Sequence, residues 1–62
     1  MKVDMDISYI NNTIQTLKEV NFKGCKTIPD IRDFLEKKVI LVIGDNLIYT
    51  DKIKHISFTK LQ

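Results

Sequence analysis

The first nine residues alternate strictly between apolar and polar side chains. Met1, Val3, Met5, Ile7 and Tyr9 are apolar, and the residues between them are polar. Because successive side chains of a strand point to opposite faces, this period of two predicts a strand with one buried face. The chain must therefore form a sheet that another element covers on one side.

The next segment, residues 13–22, is ambiguous between strand and helix. A tight turn is expected before it at Asn11-Asn12, since asparagine tolerates a positive φ. Residues 12–22 resemble residues 46–58 in their order of apolar and polar side chains, apart from two extra residues in the second copy. The second copy has a clear β pattern, so the comparison favours a strand here. A helix over residues 9–21 is the alternative.

The most secure element is a helix over residues 28–38. Thr27 and Asp30 have the spacing of a capping box, in which each side chain accepts a hydrogen bond from the other residue's backbone N–H. Ile31 and Leu35 lie one turn apart on an apolar stripe, with charged residues on the opposite side. The helix is expected to pack through this stripe on the sheet.

The last third of the chain is predicted to be β. Residues 39–43 form a continuous apolar run, which is typical of a strand buried on both faces. Gly44-Asp45-Asn46 suits a hairpin turn, and the return strand covers residues 47–50. A bulge or turn at Asp51-Lys52 leads to a possible extra short strand at residues 53–58. The predicted fold is α+β: a small antiparallel sheet with one helix, in the order β-β-α-β-β.

Length and composition limit the chain to one small domain over residues 1–62. Of its residues, 44% are apolar and 29% are charged, which fits a globular domain. The single cysteine excludes an internal disulfide, and one cysteine with one histidine cannot build a closed zinc site. With only two glycines there is no phosphate-binding loop, so no metal or cofactor is expected.

Catalytic residues are sparse, and we do not expect an enzyme. Cys25 and His55 are the one available pair of nucleophile and base, but a dyad needs a cleft and a third orienting group. Asp4 and Asp6 share the polar face of the first strand and could in principle hold a cation. Alternating carboxylates on an exposed strand are more often solvating charges.

Nucleic-acid binding is the alternative function. The formal net charge is +2, and residues 52–60 contain Lys52, Lys54 and Lys60 but no acidic residue. Lysine suits contacts with phosphate, whereas base recognition favours arginine, which occurs once. These lysines therefore predict at most non-specific contact with a phosphate backbone.

Protein–protein interaction is the preferred function. A domain of this size has little core, and with no disulfide or metal it needs another source of stability. One helix covers only one face of a sheet, so a homodimer or a protein target is expected on the other face. Ile48 and Tyr49 are adjacent, and one of them must point there, with Lys52, Lys54 and Lys60 at the rim.

The expected compartment is the cytoplasm. The N-terminal segment lacks the apolar run of a signal peptide, no run is long enough to cross a membrane, and an unpaired cysteine suits a reducing environment. The many isoleucine, lysine and asparagine residues suggest AT-rich coding. Small chains of this kind are often phage or mobile-element proteins that occlude a host enzyme or defence complex, as anti-CRISPR inhibitors do.

Overall fold

The structure, a computed structural model, describes residues 1–61 and confirms the α+β fold. Its elements follow the order β-β-α-β-β-β. The possible extra strand at residues 53–58 is a full strand of eight residues. The bounds are β1 Lys2–Tyr9, β2 Ile14–Asn21, α1 Ile28–Glu36, β3 Ile40–Ile43, β4 Asn46–Tyr49 and β5 Ile53–Lys60, with a short 3-10 turn at Thr50–Lys52 between the last two.

The strands form two antiparallel sheets rather than one. Three strands pair in the order β2-β1-β5, and β3 pairs only with β4. The 3-10 turn redirects the chain after β4, so β5 joins β1 instead of extending the hairpin. The Thr50 hydroxyl stabilises this change of direction by donating one bifurcated hydrogen bond to the carbonyl oxygens of Lys38 (3.0 Å) and Val39 (2.9 Å).

The central strand β1 supplies the middle of the core. Val3, Met5 and Ile7 have no exposed surface, as their alternation predicted. Their side chains lie under α1 and the hairpin β3–β4, while the opposite face of the three-stranded sheet is polar. The turn after β1 has Asn12 at a φ of 70°, and residues 14–21 are a strand, so the helical alternative over residues 9–21 is wrong.

Helix α1 forms as its sequence indicates. The Thr27 hydroxyl accepts a hydrogen bond from the Asp30 N–H at 3.2 Å, and the Asp30 carboxylate accepts one from the Thr27 N–H at 3.1 Å. Ile31 and Leu35 are buried. The helix ends two residues earlier than predicted, because the Lys38 N–H closes a tight last turn on the Leu35 carbonyl.

The prediction that residues 39–43 are buried on both faces is wrong for the single chain. Leu41 is buried at 3% exposure, but Val39 and Val42 are 77% and 72% exposed. The strand itself begins at Ile40. The core covers only the inner face of the hairpin, and within residues 1–61 nothing covers its outer face.

Candidate protein-binding surface

The outer face of the β3–β4 hairpin is entirely apolar. Ile40 pairs with Tyr49 and Val42 pairs with Leu47. Residues directly opposite one another in an antiparallel ladder share a face, so these four side chains are neighbours. These four side chains form what we call the hairpin face, with exposures of 40% for Ile40, 72% for Val42, 58% for Leu47 and 50% for Tyr49.

The hairpin face is large for so small a protein. The whole molecule exposes 4590 Å². The four residues of the face expose on the order of 400 Å², which is within the range of the largest apolar patch on a typical monomer. Patches of this size commonly mark interaction sites, whereas single exposed apolar residues such as Ile10 and Ile14 need no explanation.

A series of hydrogen bonds through two side-chain amides connects the hairpin to the three-stranded sheet. The Tyr9 hydroxyl donates to the Gln15 side-chain oxygen, and Gln15 Nε2 donates to Asn46 Oδ1 at 3.0 Å. Asn46 Nδ2 in turn donates to the Ile43 carbonyl at 3.2 Å. With Leu41 and Ile48 buried below, these contacts fix the orientation of the hairpin. The hairpin face is thus presented on a preorganised element.

Charge is distributed unequally between the two ends of the hairpin face. The turn between β3 and β4 contains Asp45, and Gly44 beside it has a φ of 60°. The open end carries Lys38, Asp51 and Lys52, all exposed. One end is therefore negative and the other is net positive.

The structure separates the residues predicted to bind a partner. Tyr49 lies on the hairpin face, but Ile48 is 3% exposed and belongs to the core, so it is not part of any surface. Lys52 and Lys54 are exposed close to the start of β5. Lys60 lies six residues further along β5, at a distance of about 20 Å from Lys54. The three lysines do not form a single rim.

Sequence reasoning missed three residues of the hairpin face: Ile40, Val42 and Leu47. A continuous apolar run has no alternation of apolar and polar residues, so it does not show which side chains point inward. The signal that could have found them is the turn at Gly44-Asp45, since a two-residue turn fixes the pairing of the flanking strands. That pairing alone would have placed Val42 and Leu47 on one face.

The remaining candidate chemistry is not brought together. Cys25 lines a groove beside β2 and β3, whereas His55 lines a separate groove between α1 and β5. Asp4 and Asp6 both accept hydrogen bonds from β2, Asp4 from the Glu19 N–H at 2.9 Å and Asp6 from the Thr16 hydroxyl at 2.7 Å. Among residues 1–61 no three His, Cys, Asp or Glu side chains form a cluster that could hold a metal ion.

Comparison with known proteins adds no assignment. No protein-family model matches the chain, and neither the curated proteins nor the solved structures give a significant match. In the part of the chain that the structure describes, no helix has the length and apolar character needed to span a membrane.

Proposed function

We propose that this protein is a non-catalytic binding module and that the hairpin face is its binding surface. The supporting observation is the group of four exposed apolar side chains on a hairpin that buried residues and amide hydrogen bonds hold in place. Exposed apolar surface is unfavourable in water, and its burial between two chains is worth roughly 25 cal/mol per Å² before the costs of association.

The occupant that best fits the hairpin face is a second copy of the chain. A two-fold axis that crosses the strands would place the turn of one hairpin over the open end of the other. Asp45 of each copy would then lie near Lys38 and Lys52 of its twin, so the unequal charges become complementary. The face, on the order of 400 Å², forms about half of the roughly 800 Å² that each partner buries in a standard interface.

Light scattering across a dilution series tests this proposal. We expect twice the 7.2 kDa mass of one chain at high concentration and a decrease towards that mass on dilution. Val42→Lys should give the monomer mass at every concentration, because it puts a charge in the middle of the hairpin face. The matched control is Ile14→Lys, which places the same charge at a residue 68% exposed on the polar face of the three-stranded sheet and should leave the dimer intact.

A monomeric parent chain at every concentration would overturn the second copy as occupant, and so would a dimer that survives Val42→Lys. Binding of an oligonucleotide that weakens on Lys52→Glu and Lys54→Glu would instead support the nucleic-acid alternative, with Tyr49 available to stack on a base. Occlusion of a host enzyme or defence complex stays a prediction. A cytoplasmic location is part of the same proposal, supported by the free thiol of Cys25.

A further inference from the structure

A second candidate site is the groove between β2 and β3. Its volume is about 730 Å³, and one side of it is closed by Phe34 and Leu35 of α1 and by Lys38 just after the helix. The two strands and the residues directly after them contribute every residue from 17 to 23 and from 40 to 44. Side chains alternate between the faces of a strand, so a groove lined by consecutive residues runs along strand edges.

The edge of β3 that borders this groove has free backbone groups. The Thr50 N–H donates to the Val39 carbonyl at 3.0 Å, which makes Val39 and Thr50 a hydrogen-bonded pair. Bonded pairs alternate along an antiparallel ladder, so the backbone groups of Ile40 and Val42 point away from β4. They point towards the groove, where an additional strand could pair with them.

The two outer strands of the three-stranded sheet are less suited to accept a strand. On β5, Arg32 Nη2 donates to the Ile56 carbonyl at 3.3 Å, and its guanidinium lies 5.0 Å from the centroid of the Phe58 ring. On β2, the pairing with β1 shifts between Val3 and Met5, which produces a bulge. Bulges and covered edges are common ways to prevent strand addition, so β3 is the better edge.

The groove has an apolar floor and a positive rim. Phe22, Leu35 and Leu41 line it and are buried, and the ring of Phe34 packs edge-on against Phe22 at 6.3 Å between centroids. Its charged residues are Lys23, Lys38, a single carboxylate from Glu19, and Lys18, whose ammonium pairs with Asp4 at 3.4 Å. An extended occupant would meet apolar groups on one of its faces and ammonium groups on the other.

We propose that this groove binds an extended segment of another protein, in which apolar and acidic residues alternate, as a strand added to β3. Backbone hydrogen bonds to Ile40 and Val42 would hold the segment in place. Its apolar side chains would contact the floor of the groove, and its carboxylates would face the lysines of the rim. The site uses the edge of β3, whereas the dimer uses the outward side chains, so this proposal does not rest on the first one.

The test uses a labelled peptide of about eight residues that alternates valine and glutamate, a length typical of a strand. Fluorescence anisotropy gives its affinity, and hydrogen exchange followed by NMR reports on the amides of Ile40 and Val42. We expect binding that weakens with added salt, and slower exchange of those two amides in the complex. A peptide that alternates valine and lysine should bind at least about tenfold more weakly, since several rim charges then repel it.

Two further comparisons separate strand addition from non-specific attraction. The same peptide with a methyl group on every backbone nitrogen should not bind, because it cannot donate backbone hydrogen bonds. Lys23→Glu with Lys38→Glu should weaken binding about tenfold, while the control Lys54→Glu with Lys60→Glu, away from the groove, should not.

Several results would overturn the proposal. These are no binding of the valine–glutamate peptide, equal binding of the lysine or N-methyl peptides, and unchanged exchange at Ile40 and Val42. A short oligothymidylate that displaces the peptide and restores fast exchange at Ile40 and Val42 would show instead that the lysines of the groove bind phosphate.

Discussion

Asp4 shows how one side chain shapes an edge of the sheet. Lys18 and Glu19 form the bulge on β2 opposite Asp4, and Glu19 has a φ of 52°. The Asp4 carboxylate accepts the Glu19 N–H at 2.9 Å and pairs with the Lys18 ammonium at 3.4 Å. The sequence predicted that Asp4 lies on a polar face but not the bulge, because a positive φ at a glutamate has no local sequence signal and depends on this cross-strand contact.

We predict that Asp4 makes the stability of the protein depend on pH in the acid range. The hydrogen bond from the Glu19 N–H lowers the pKa of Asp4 below its ordinary value of 3.8, and Lys18 adds to the effect. A carboxyl group with a lowered folded pKa contributes stability above its unfolded pKa, and this contribution is lost as the pH falls through the folded pKa. Asp4→Asn should therefore be less stable than the parent at pH 7, with the difference shrinking below about pH 4.

Urea unfolding at several pH values between 2 and 7 measures this difference. The control is Asp33→Asn, which removes an exposed carboxylate on α1. If the parent and Asp4→Asn differ by the same amount at all pH values, the hydrogen bond to Glu19 does not stabilise the ionised carboxylate.

At the scale of elements, local signals predicted most of the fold. The capping box and stripe placed α1, and the alternation of residues 1–9 placed β1, because each pattern reflects the geometry of a single element. The division into two sheets was not predicted. It depends on the 3-10 turn at Thr50–Lys52 and on the bonds from Thr50 to Lys38 and Val39, which are contacts between elements.

Leu35→Ala should lower the free energy of unfolding by about 2–5 kcal/mol and leave little folded protein, because it leaves a cavity between α1 and the sheet. Thermal and urea unfolding followed by circular dichroism measure the loss. The control Ile14→Ala, at a site 68% exposed, should change stability by no more than about 0.5 kcal/mol. Equal melting of Leu35→Ala and the parent would contradict the packing of α1 on the sheet.

Thr27→Ala should lower the free energy of unfolding by about 1 kcal/mol, since the Asp30 N–H loses its acceptor at the start of α1. Thr27→Ser is the matched control, because serine keeps the hydroxyl and should restore most of the stability. The same urea experiment measures both. A serine variant as unstable as the alanine variant would show that the methyl group of Thr27, and not its hydroxyl, is important.

For the whole molecule, the sequence predicted that one face would remain uncovered but only partly which residues lie on it. The sequence predicted that either Ile48 or Tyr49 points to this face and could not choose between them. The choice depends on the register of β3 with β4, which places Tyr49 on the face and Ile48 in the core. The lysines predicted to surround this face, Lys52, Lys54 and Lys60, do not form one cluster, and the reason is similar. Lys54 and Lys60 are close in sequence, yet the extended chain of β5 separates them.

If the second copy covers the hairpin face, the melting temperature should rise with protein concentration, because association stabilises the folded state by mass action. Scanning calorimetry over a hundredfold range of concentration measures this rise. Val42→Lys should melt at a temperature that does not depend on concentration and should match the parent chain at its lowest concentration. If the melting temperature of the parent chain is constant over the same range, dimer formation does not stabilise the folded state.

The position of β1 also determines the order in which the sheet can form during synthesis. β1 is made first, and its pairing with β2 uses neighbours in sequence. Its other edge pairs with β5, where Val3 lies opposite Lys60. The ribosome makes β5 after the other four strands, so that edge of β1 stays open until β5 has emerged. A nascent chain that stalls before β5 would leave one edge of β1 unpaired beside three core side chains, which is the kind of surface that chaperones bind.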